Sequence, residues 1–384
     1  MQTQNEPHPF EFLALHFDFM EDPRVDRRRK HELLDIIGLT IMAVICGADT
    51  WVAIEEYGKA KEAFLRQYLQ LPNGIPSHDT IGRVFSILNA QELEKGFVSW
   101  TQAICRLTAG EVVAIDGKKL RRSYDRTGDK AAIHMVSAWA CVNQISLGQV
   151  KVDDKSNEIT AIPKLLEVLD LQGCIVTIDA MGTQKKVAEQ IRDQQADYLL
   201  ALKANHGELY EEVRATFDHL QNTRYTQVDE QWDKDHGRIE CRRCFVLDLT
   251  APDFDWILSD DLDAWKDLRS LVMIEARRWI GDKEEYQKRY YLSSLSAQKG
   301  AEVFNRAIRM HWHIENSCHW TLDVVFNEDY SRVRKGFADQ NFSIFRRLAL
   351  NLLKKEKSAK VGVQNKRLKA AWDDDYLLKV LAAA

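Results

Sequence analysis

The stretch Val112-Val113-Ala114-Ile115-Asp116-Gly117 runs four apolar residues directly into an acid and a glycine. An unbroken apolar run of this length predicts a strand that is buried on both faces, as in the parallel sheets of α/β proteins. Asp116 follows at the end of that strand, and Gly117 allows another part of the chain or a ligand to approach closely. The stretch therefore predicts an α/β fold with a carboxylate at a strand end.

A second stretch, Ile175-Val176-Thr177-Ile178-Asp179, repeats the arrangement of a buried strand followed by an acid. Asp116 and Asp179 form one site if their strands are neighbours. Glu315 lies later, within the helical segment His311-Trp312-His313-Ile314-Glu315-Asn316, and reaches the same point only through folding.

Three carboxylates suit the chemistry of phosphodiester cleavage. Two hard cations can activate a water and stabilise the leaving oxygen, and Mg²⁺ prefers oxygen ligands. Taken alone, however, Asp116 or Asp179 is better explained as a helix cap or a turn residue, and only their joint occurrence with the order of elements and the later Glu315 favours a site.

The order of predicted elements divides the chain into an all-helical first part and an α/β second part. Up to Leu107 the apolar residues recur every three or four positions, and Ser77 is a suitable N-cap for a helix that either contacts DNA bases or simply packs. After Gly110, three strands, a helix, a strand, a helix and a strand follow. This is the order of a ribonuclease H-like core, although other α/β folds share it.

The predicted organisation comprises five segments. They are a helical N-terminal domain that we expect to bind DNA (1–107), the first part of a ribonuclease H-like core (108–204), a strand-rich insertion (205–292), a helical second part of the core with a basic surface (293–355), and a polar C-terminal tail (356–384).

Charge is unevenly distributed along the chain. The formal net charge is -5, but the segment 332–369 contains twelve Lys or Arg residues and only two acids. Such a positive segment either attracts phosphate or forms a solvated helix face.

The remaining composition argues against a secreted or membrane protein. Seven scattered cysteines form no regular disulfide framework, the polar N-terminus has no signal-peptide pattern, and the longest uncharged run, 36–48, is shorter than the roughly 20 residues that span a bilayer. We therefore expect a cytoplasmic protein.

Three blocks of sequence carry a family resemblance: Ala114-Ile115-Asp116-Gly117-Lys118, Thr177-Ile178-Asp179-Ala180-Met181-Gly182-Thr183-Gln184, and the segment from His311 to Asn316. They resemble the signature blocks of DDE insertion-sequence transposases, in the family that includes the H-repeat-associated (Rhs element) proteins. The resemblance runs from about residue 10 to residue 355.

The resemblance implies a function and a cofactor. Asp116, Asp179 and Glu315 become the catalytic and metal-binding acids, with Mg²⁺ as the cofactor and Mn²⁺ as its substitute. The expected partners are double-stranded DNA, both the terminal inverted repeats of an element and its target, and further copies of the chain on paired ends. The expected location is the nucleoid of a bacterial cytoplasm.

One part of the family pattern is missing. Related transposases often have Tyr, Arg and Lys seven before, four before and seven after the last acid, where this chain has Ile308, His311 and Leu322. Phosphate contacts cannot be transferred from that motif. The candidates to make them are basic residues, for each of which a solvated or structural role is the alternative: Lys118, Lys119, Arg121, Arg122, His311, His319, Arg332, Arg334 and Lys335.

Two observations leave alternatives open. Arg238, Glu240 and Arg242 alternate along a predicted strand of the insertion, so this face meets either DNA or water. The leading function, DNA transposition, competes with a non-catalytic DNA-binding protein derived from a transposase and with a junction or repair nuclease built on the same core.

Overall fold

The computed structural model describes residues 9–124, 132–153, 157–220, 227–235, 237–252 and 260–383. The described part of the chain begins with six α-helices, in agreement with the helical spacing of its apolar residues. The predicted N-cap is present, because Ser77 Oγ accepts a 3.3 Å hydrogen bond from the Thr80 N–H. These helices are α1 (Pro9–Ala14), α2 (Leu33–Ile45), α3 (Trp51–Ala60), α4 (Glu62–Leu65), α5 (His78–Ile87) and α6 (Ala90–Ile104).

Strands and helices then alternate in the predicted order. The first group is β1 (Val112–Lys119), β2 (His134–Ala140), β3 (Ile145–Lys151), α7 (Glu158–Val168), β4 (Ile175–Ile178), α8 (Lys185–Asp193), β5 (Asp197–Leu202) and α9 (Gly207–His219). The second group is β6 (Gln227–Asp235), β7 (Arg238–Asp248), α10 (Asp260–Asp263), β8 (Ser270–Ile280) and β9 (Lys283–Ser293).

Helices complete the chain. They are α11 (Ala301–His311), a π-helical turn (Ile314–His319), α12 (Trp320–Val324), α13 (Ala338–Lys355), α14 (Val363–Trp372) and α15 (Asp374–Leu381). None of the described helices combines the length and apolar character required to cross a membrane.

The described strands form one sheet in the order β3-β2-β1-β4-β5-β9-β8-β7-β6. β1 is parallel to β4, and β4 is parallel to β5, whereas all other neighbours are antiparallel. The segment predicted as a strand-rich insertion thus continues the central sheet, because β9 pairs with β5 from Leu199↔Ser293 to Leu202↔Tyr290.

The two faces of the sheet are covered by separate apolar clusters. One cluster is formed mainly by α7, α8 and α9, and the other by the N-terminal helices together with α11 and α13 to α15. Trp51 of α3 packs on Phe85 of α5 and Phe342 of α13, with ring centroids 5.4 and 4.6 Å apart. The first 107 residues therefore share a core with the end of the chain.

The expectation of a polar tail from residue 356 was wrong. Helices α14 and α15 bury an apolar stripe that includes Ala370, Leu377 and Leu381, and the hydroxyl of Tyr376 donates a 2.7 Å hydrogen bond to Glu356. The polar side chains that suggested a tail lie on the outer faces of these helices, since a stripe spaced every three or four residues suffices for docking.

Candidate active site

The register of two parallel strands brings Asp116 and Asp179 to the same edge of the sheet. Ile115 of β1 pairs with Ile178 of β4, and each acid is the next residue in its chain. Both side chains are partly exposed at this edge. Asp179 is further held by its loop, because its Oδ1 accepts hydrogen bonds from the N–H groups of Met181 (3.1 Å) and Gly182 (3.2 Å).

Glu315 arrives from the π-helical turn that follows α11. A hydrogen bond of 2.9 Å between His311 Nδ1 and Thr177 Oγ1 ties the end of α11 to β4, two residues before Asp179. π-Helical turns are uncommon and are frequent at functional sites. The sequence indicated a helix here but gave no sign of the wider turn.

The three acids line one cleft of about 330 Å³. As the side chains stand, no three His, Cys, Asp or Glu residues among the described parts of the chain are arranged to hold a metal ion. The structure thus brings the acids to one cleft without forming a complete ligand cage.

The acids affect one another electrostatically. Burial and the neighbouring charges of Asp179 and Glu315 raise the pKa of Asp116 to about 7. Burial and Asp179 likewise raise the pKa of Glu315, although Arg289 and Lys203 act in the opposite direction. A cluster with this unfavourable mutual repulsion is suited to a bound cation.

A buried histidine lies beside Asp116. His319 Nδ1 is 3.5 Å from Asp116 Oδ2, and burial lowers the pKa of His319 to about 3, so the ring is neutral at physiological pH. His319 was predicted to contact DNA, but it is only 8% exposed. It is placed to orient Asp116 rather than to meet a phosphate from solvent.

Basic residues line the same cleft as the acids. Lys203 follows β5, and Lys288 and Arg289 lie on β9. The guanidinium of Arg289 lies over the ring of Trp312, 5.3 Å from its centroid. The cleft is therefore lined by both carboxylates and cations, although the ammonium of Lys288 already pairs with Asp218 at 3.1 Å.

The predicted DNA contact at Lys118 conflicts with its position. Lys118 is buried, and its ammonium pairs with Asp323 and, at 2.7 Å, with Glu328. Burial alone would raise the pKa of Glu328, but Lys118 and Arg347 hold it well below its usual range. A lysine in such a buried network is not available to phosphate.

The neighbouring basic residues do reach the surface. Lys119, Arg121 and Arg122 are exposed; Arg121 lies 3.4 Å from Asp329, and the Arg122 guanidinium lies over the Tyr330 ring at 4.8 Å. These contacts link the end of β1 to the segment 329–330.

A separate groove of about 1130 Å³ is lined by the predicted residues Arg332, Arg334 and Lys335 and by helix α5. We call the segment 331–335 the basic loop. His78, Asp79 and Arg83 of α5 face it across the groove. The basic loop and the helix with the Ser77 cap thus form one surface.

Two residues near Asp116 were missed by sequence analysis. Glu158 Oε1 lies 2.8 Å from His134 Nε2, and a Cβ atom added to Gly117 would lie 2.0 Å from the same Glu158 oxygen. The close approach that Gly117 suggested is therefore made by this pair. Positions 134 and 158 carried no motif, since only β2 and α7 bring them together.

The residues in place of the missing family motif have ordinary structural surroundings. Ile308 lines the cleft and is buried, and Leu322 is fully buried in the core. Neither side chain is able to bind phosphate. His311 is the polar member of the three, and its ring nitrogen is engaged with Thr177.

Comparison with known proteins gives consistent matches along the chain. The family model described as "Transposase DDE domain" matches residues 108–352, and the one described as "DDE_Tnp_1-associated" matches residues 14–101. The chain is 43% identical over 378 residues to the "H repeat-associated putative transposase YhhI" of Escherichia coli strain K12, covering 97% of this chain and 98% of that protein. It is 44% identical over 376 residues to the "Putative transposase YncI" of Escherichia coli O157:H7, covering 97% and 94%.

Among solved structures, the chain is similar to one protein in a cryo-EM structure of a piggyBac transposase synaptic complex with hairpin DNA. The TM-score is 0.44 and the identity 10%, over 97% of this chain and 82% of that one. A likeness this distant supports no conclusion about the site.

Proposed function

Because the chain belongs to the transposase family defined by the DDE domain, we propose that it catalyses metal-dependent DNA strand cleavage and strand transfer at the ends of an insertion sequence. The observation that carries the proposal is the convergence of Asp116, Asp179 and Glu315 on one cleft from segments far apart in sequence. We interpret β1 to β5, with strand order 3-2-1-4-5, as a ribonuclease H-like core that holds these acids.

The donor set of the cleft fits Mg²⁺. Carboxylate oxygens are its preferred protein ligands, and the raised pKa of Asp116 reflects negative charge that a cation would neutralise. Asp116, Asp179 and Glu315 would hold two ions, with Mn²⁺ as a substitute, after their side chains rotate toward one another. When bound, the ions would make water nucleophilic and stabilise the leaving oxygen.

The remaining groups of the cleft have roles that depend only on the chain. Lys203 and Arg289 are placed to attract the phosphodiester, since they line the same cleft as the acids. His319 orients the Asp116 carboxylate, and His311 fixes the end of α11 against β4. His311 and His319 thus act as positioning residues in this proposal.

Double-stranded DNA is the proposed partner, both as terminal inverted repeats and as target. The exposed residues Lys119, Arg121, Arg122, Arg332 and Lys335, together with half-buried Arg334, supply positive charge for its backbone. Paired ends require at least two active sites, so we propose a homo-oligomer on DNA in the bacterial nucleoid.

A nicking assay tests the proposal. Supercoiled DNA carrying the terminal inverted repeats of the element should be cut at the repeats by the full chain in Mg²⁺ and remain intact in EDTA. Binding without cutting would indicate a non-catalytic DNA-binding protein. Cutting that ignores the repeats and selects branched DNA would indicate a junction or repair nuclease.

A further inference from the structure

A second groove, of about 530 Å³, lies on the strands that extend the sheet. We call it the arginine groove. Alternate residues of β7 and β8 face it, and α11 closes one side. Its charged lining residues are Arg238, Glu240, Arg242, Arg278, Glu285, Arg289 and Arg309. Even when Arg309, which pairs with Asp233, is left out, four arginines outnumber the two glutamates, so the groove carries net positive charge.

Arg242 is the fixed member of this groove. Its side chain is only 5% exposed, and its Nε donates a 2.7 Å hydrogen bond to Asn305 Oδ1. Asn305 is itself held, because its amide nitrogen donates a 2.7 Å hydrogen bond to Asp229. The Nη2 of Arg242 has no hydrogen-bond partner among the described residues. A buried guanidinium with an unused donor is costly unless a ligand satisfies it.

Arg309 pairs closely with Asp233, but two other arginines are only loosely neutralised. Arg238 and Arg278 share Glu240, at 3.8 and 3.5 Å, and both arginine side chains are about two-fifths exposed. Ion pairs of this length and exposure contribute little to stability. These side chains are therefore free to exchange Glu240 for a stronger anion.

The arginine groove adjoins the acidic cleft. Gln287, Arg289 and Trp312 line both. An anion that extends from one into the other must carry regularly spaced negative charges, as the sugar-phosphate backbone of a nucleic acid does. A small anion would occupy only one end.

We propose that the arginine groove binds the backbone of the DNA strand whose scissile phosphate enters the acidic cleft, with Arg242 as a fixed phosphate ligand. This inference rests on the proposed function and adds a strand-positioning surface to it. In this proposal the face formed by Arg238, Glu240 and Arg242 meets DNA rather than water.

The alternation of strand residues supplies matched controls. Arg243 and Arg277 are the immediate neighbours of Arg242 and Arg278 but lie on the opposite face, where Arg243 pairs with Glu230 and Arg277 lies over the Tyr286 ring. The test compares Arg242→Gln/Arg278→Gln with Arg243→Gln/Arg277→Gln in the full chain. The probe is a fluorescein-labelled duplex of the terminal inverted repeat with its flank, in EDTA.

The groove variant, Arg242→Gln/Arg278→Gln, should bind the duplex roughly 10-fold more weakly than the wild type. The slope of its log K against log salt should fall by about 2, one for each phosphate that the substituted arginines no longer bind. Ethylation interference should disappear only at phosphates beside the cleavage position. The control variant should match the wild type. If Arg242→Gln prevents folding, as judged by circular dichroism, Arg238→Gln/Arg278→Gln provides the same test with exposed residues.

The possible failures are distinguishable. If the wild type does not bind or cut the duplex, the proposed function is wrong. If the wild type binds and cuts but the groove variant keeps the same affinity, salt slope and interference pattern, the arginine groove does not contact DNA and only this inference is overturned.

Discussion

The N–H of Phe337 donates a 3.1 Å hydrogen bond to the carbonyl oxygen of Ser86, and this contact fastens the end of the basic loop to helix α5. Gly336, the preceding residue, has a φ of +55°, and a Cβ atom there would lie 2.0 Å from the same oxygen. Glycine is required here because both the backbone conformation and the space exclude a side chain.

Gly336→Ala should lower the free energy of unfolding by about 2 to 4 kcal/mol, since the clash is with backbone atoms that cannot easily move. Gly281→Ala is the matched control, because Gly281 has a φ of +57° and open space around its Cα. The control should lower it by only about 1 kcal/mol. Urea unfolding measures the free energy of unfolding of both variants. Equal losses in the two would show that the close contact between residue 336 and Ser86 is unimportant.

The buried pair of Lys118 and Glu328 predicts a stability effect in place of a DNA-binding effect. Lys118→Met should cost about 3 to 5 kcal/mol, because it leaves the buried carboxylate of Glu328 without its lysine partner. Lys119→Met, at the exposed next position, should change stability by less than about 0.5 kcal/mol. A Lys118 variant as stable as the Lys119 variant would refute the structural role.

The raised pKa of Asp116 predicts how metal-free stability depends on pH. Because its pKa is about 7 in the folded chain and lower in the unfolded chain, ionisation destabilises the fold. The penalty is absent below the unfolded pKa, grows as pH rises toward 7, and is complete above it. Asp116→Asn should therefore stabilise the metal-free protein at pH 8 by about 1 to 3 kcal/mol and have little effect at pH 4.

Urea unfolding in EDTA at the two pH values tests this expectation. Asp193→Asn, an exposed acid at the end of α8, serves as the control and should show no such difference. Mg²⁺ should then stabilise the wild type more than Asp116→Asn. A wild type that is more stable than the Asn variant at pH 8 without metal would contradict the repulsion among the acids.

Neutralising the basic loop should weaken DNA binding through its salt dependence. Arg332→Gln/Arg334→Gln/Lys335→Gln should reduce the slope of log K against log salt by about 2 to 3, close to one for each phosphate contact. A triple variant of the dispersed exposed residues Lys95, Lys186 and Lys299 controls for net charge. Equal slopes in the two variants would place the DNA elsewhere.

Much of the fold could be predicted because its signals are local. The apolar runs before Asp116 and Asp179 identified two buried strands, and Ser77 identified the start of α5. Asp116 and Asp179 become neighbours once β1 and β4 pair, and the order of elements favoured that pairing. Nothing local distinguished the polar outer faces of α14 and α15 from a tail.

The surroundings of the acids were less predictable, because they depend on contacts between distant positions. In the sequence Lys118 resembles a surface lysine, and only folding brings Asp323 and Glu328 against it, from about 200 residues later in the chain. Arg242 resembles one of an alternating series, and only Asn305 on α11 shows that it is buried and held. Burial of a charged side chain is a property of the assembled fold, so sequence spacing does not reveal it.

Cleavage by cysteine and alanine variants of the three acids, Asp116, Asp179 and Glu315, tests the central claim most directly. Asp116→Ala, Asp179→Ala and Glu315→Ala should each bind the terminal repeats and fail to nick them in Mg²⁺, because each lacks one oxygen ligand. Asp116→Cys should be inactive in Mg²⁺ and at least partly active in Mn²⁺, which accepts a softer ligand more readily. Asp193→Ala should cut like the wild type in both metals. Full Mg²⁺-dependent cleavage by two of the three alanine variants would contradict the assignment of these acids as the catalytic centre.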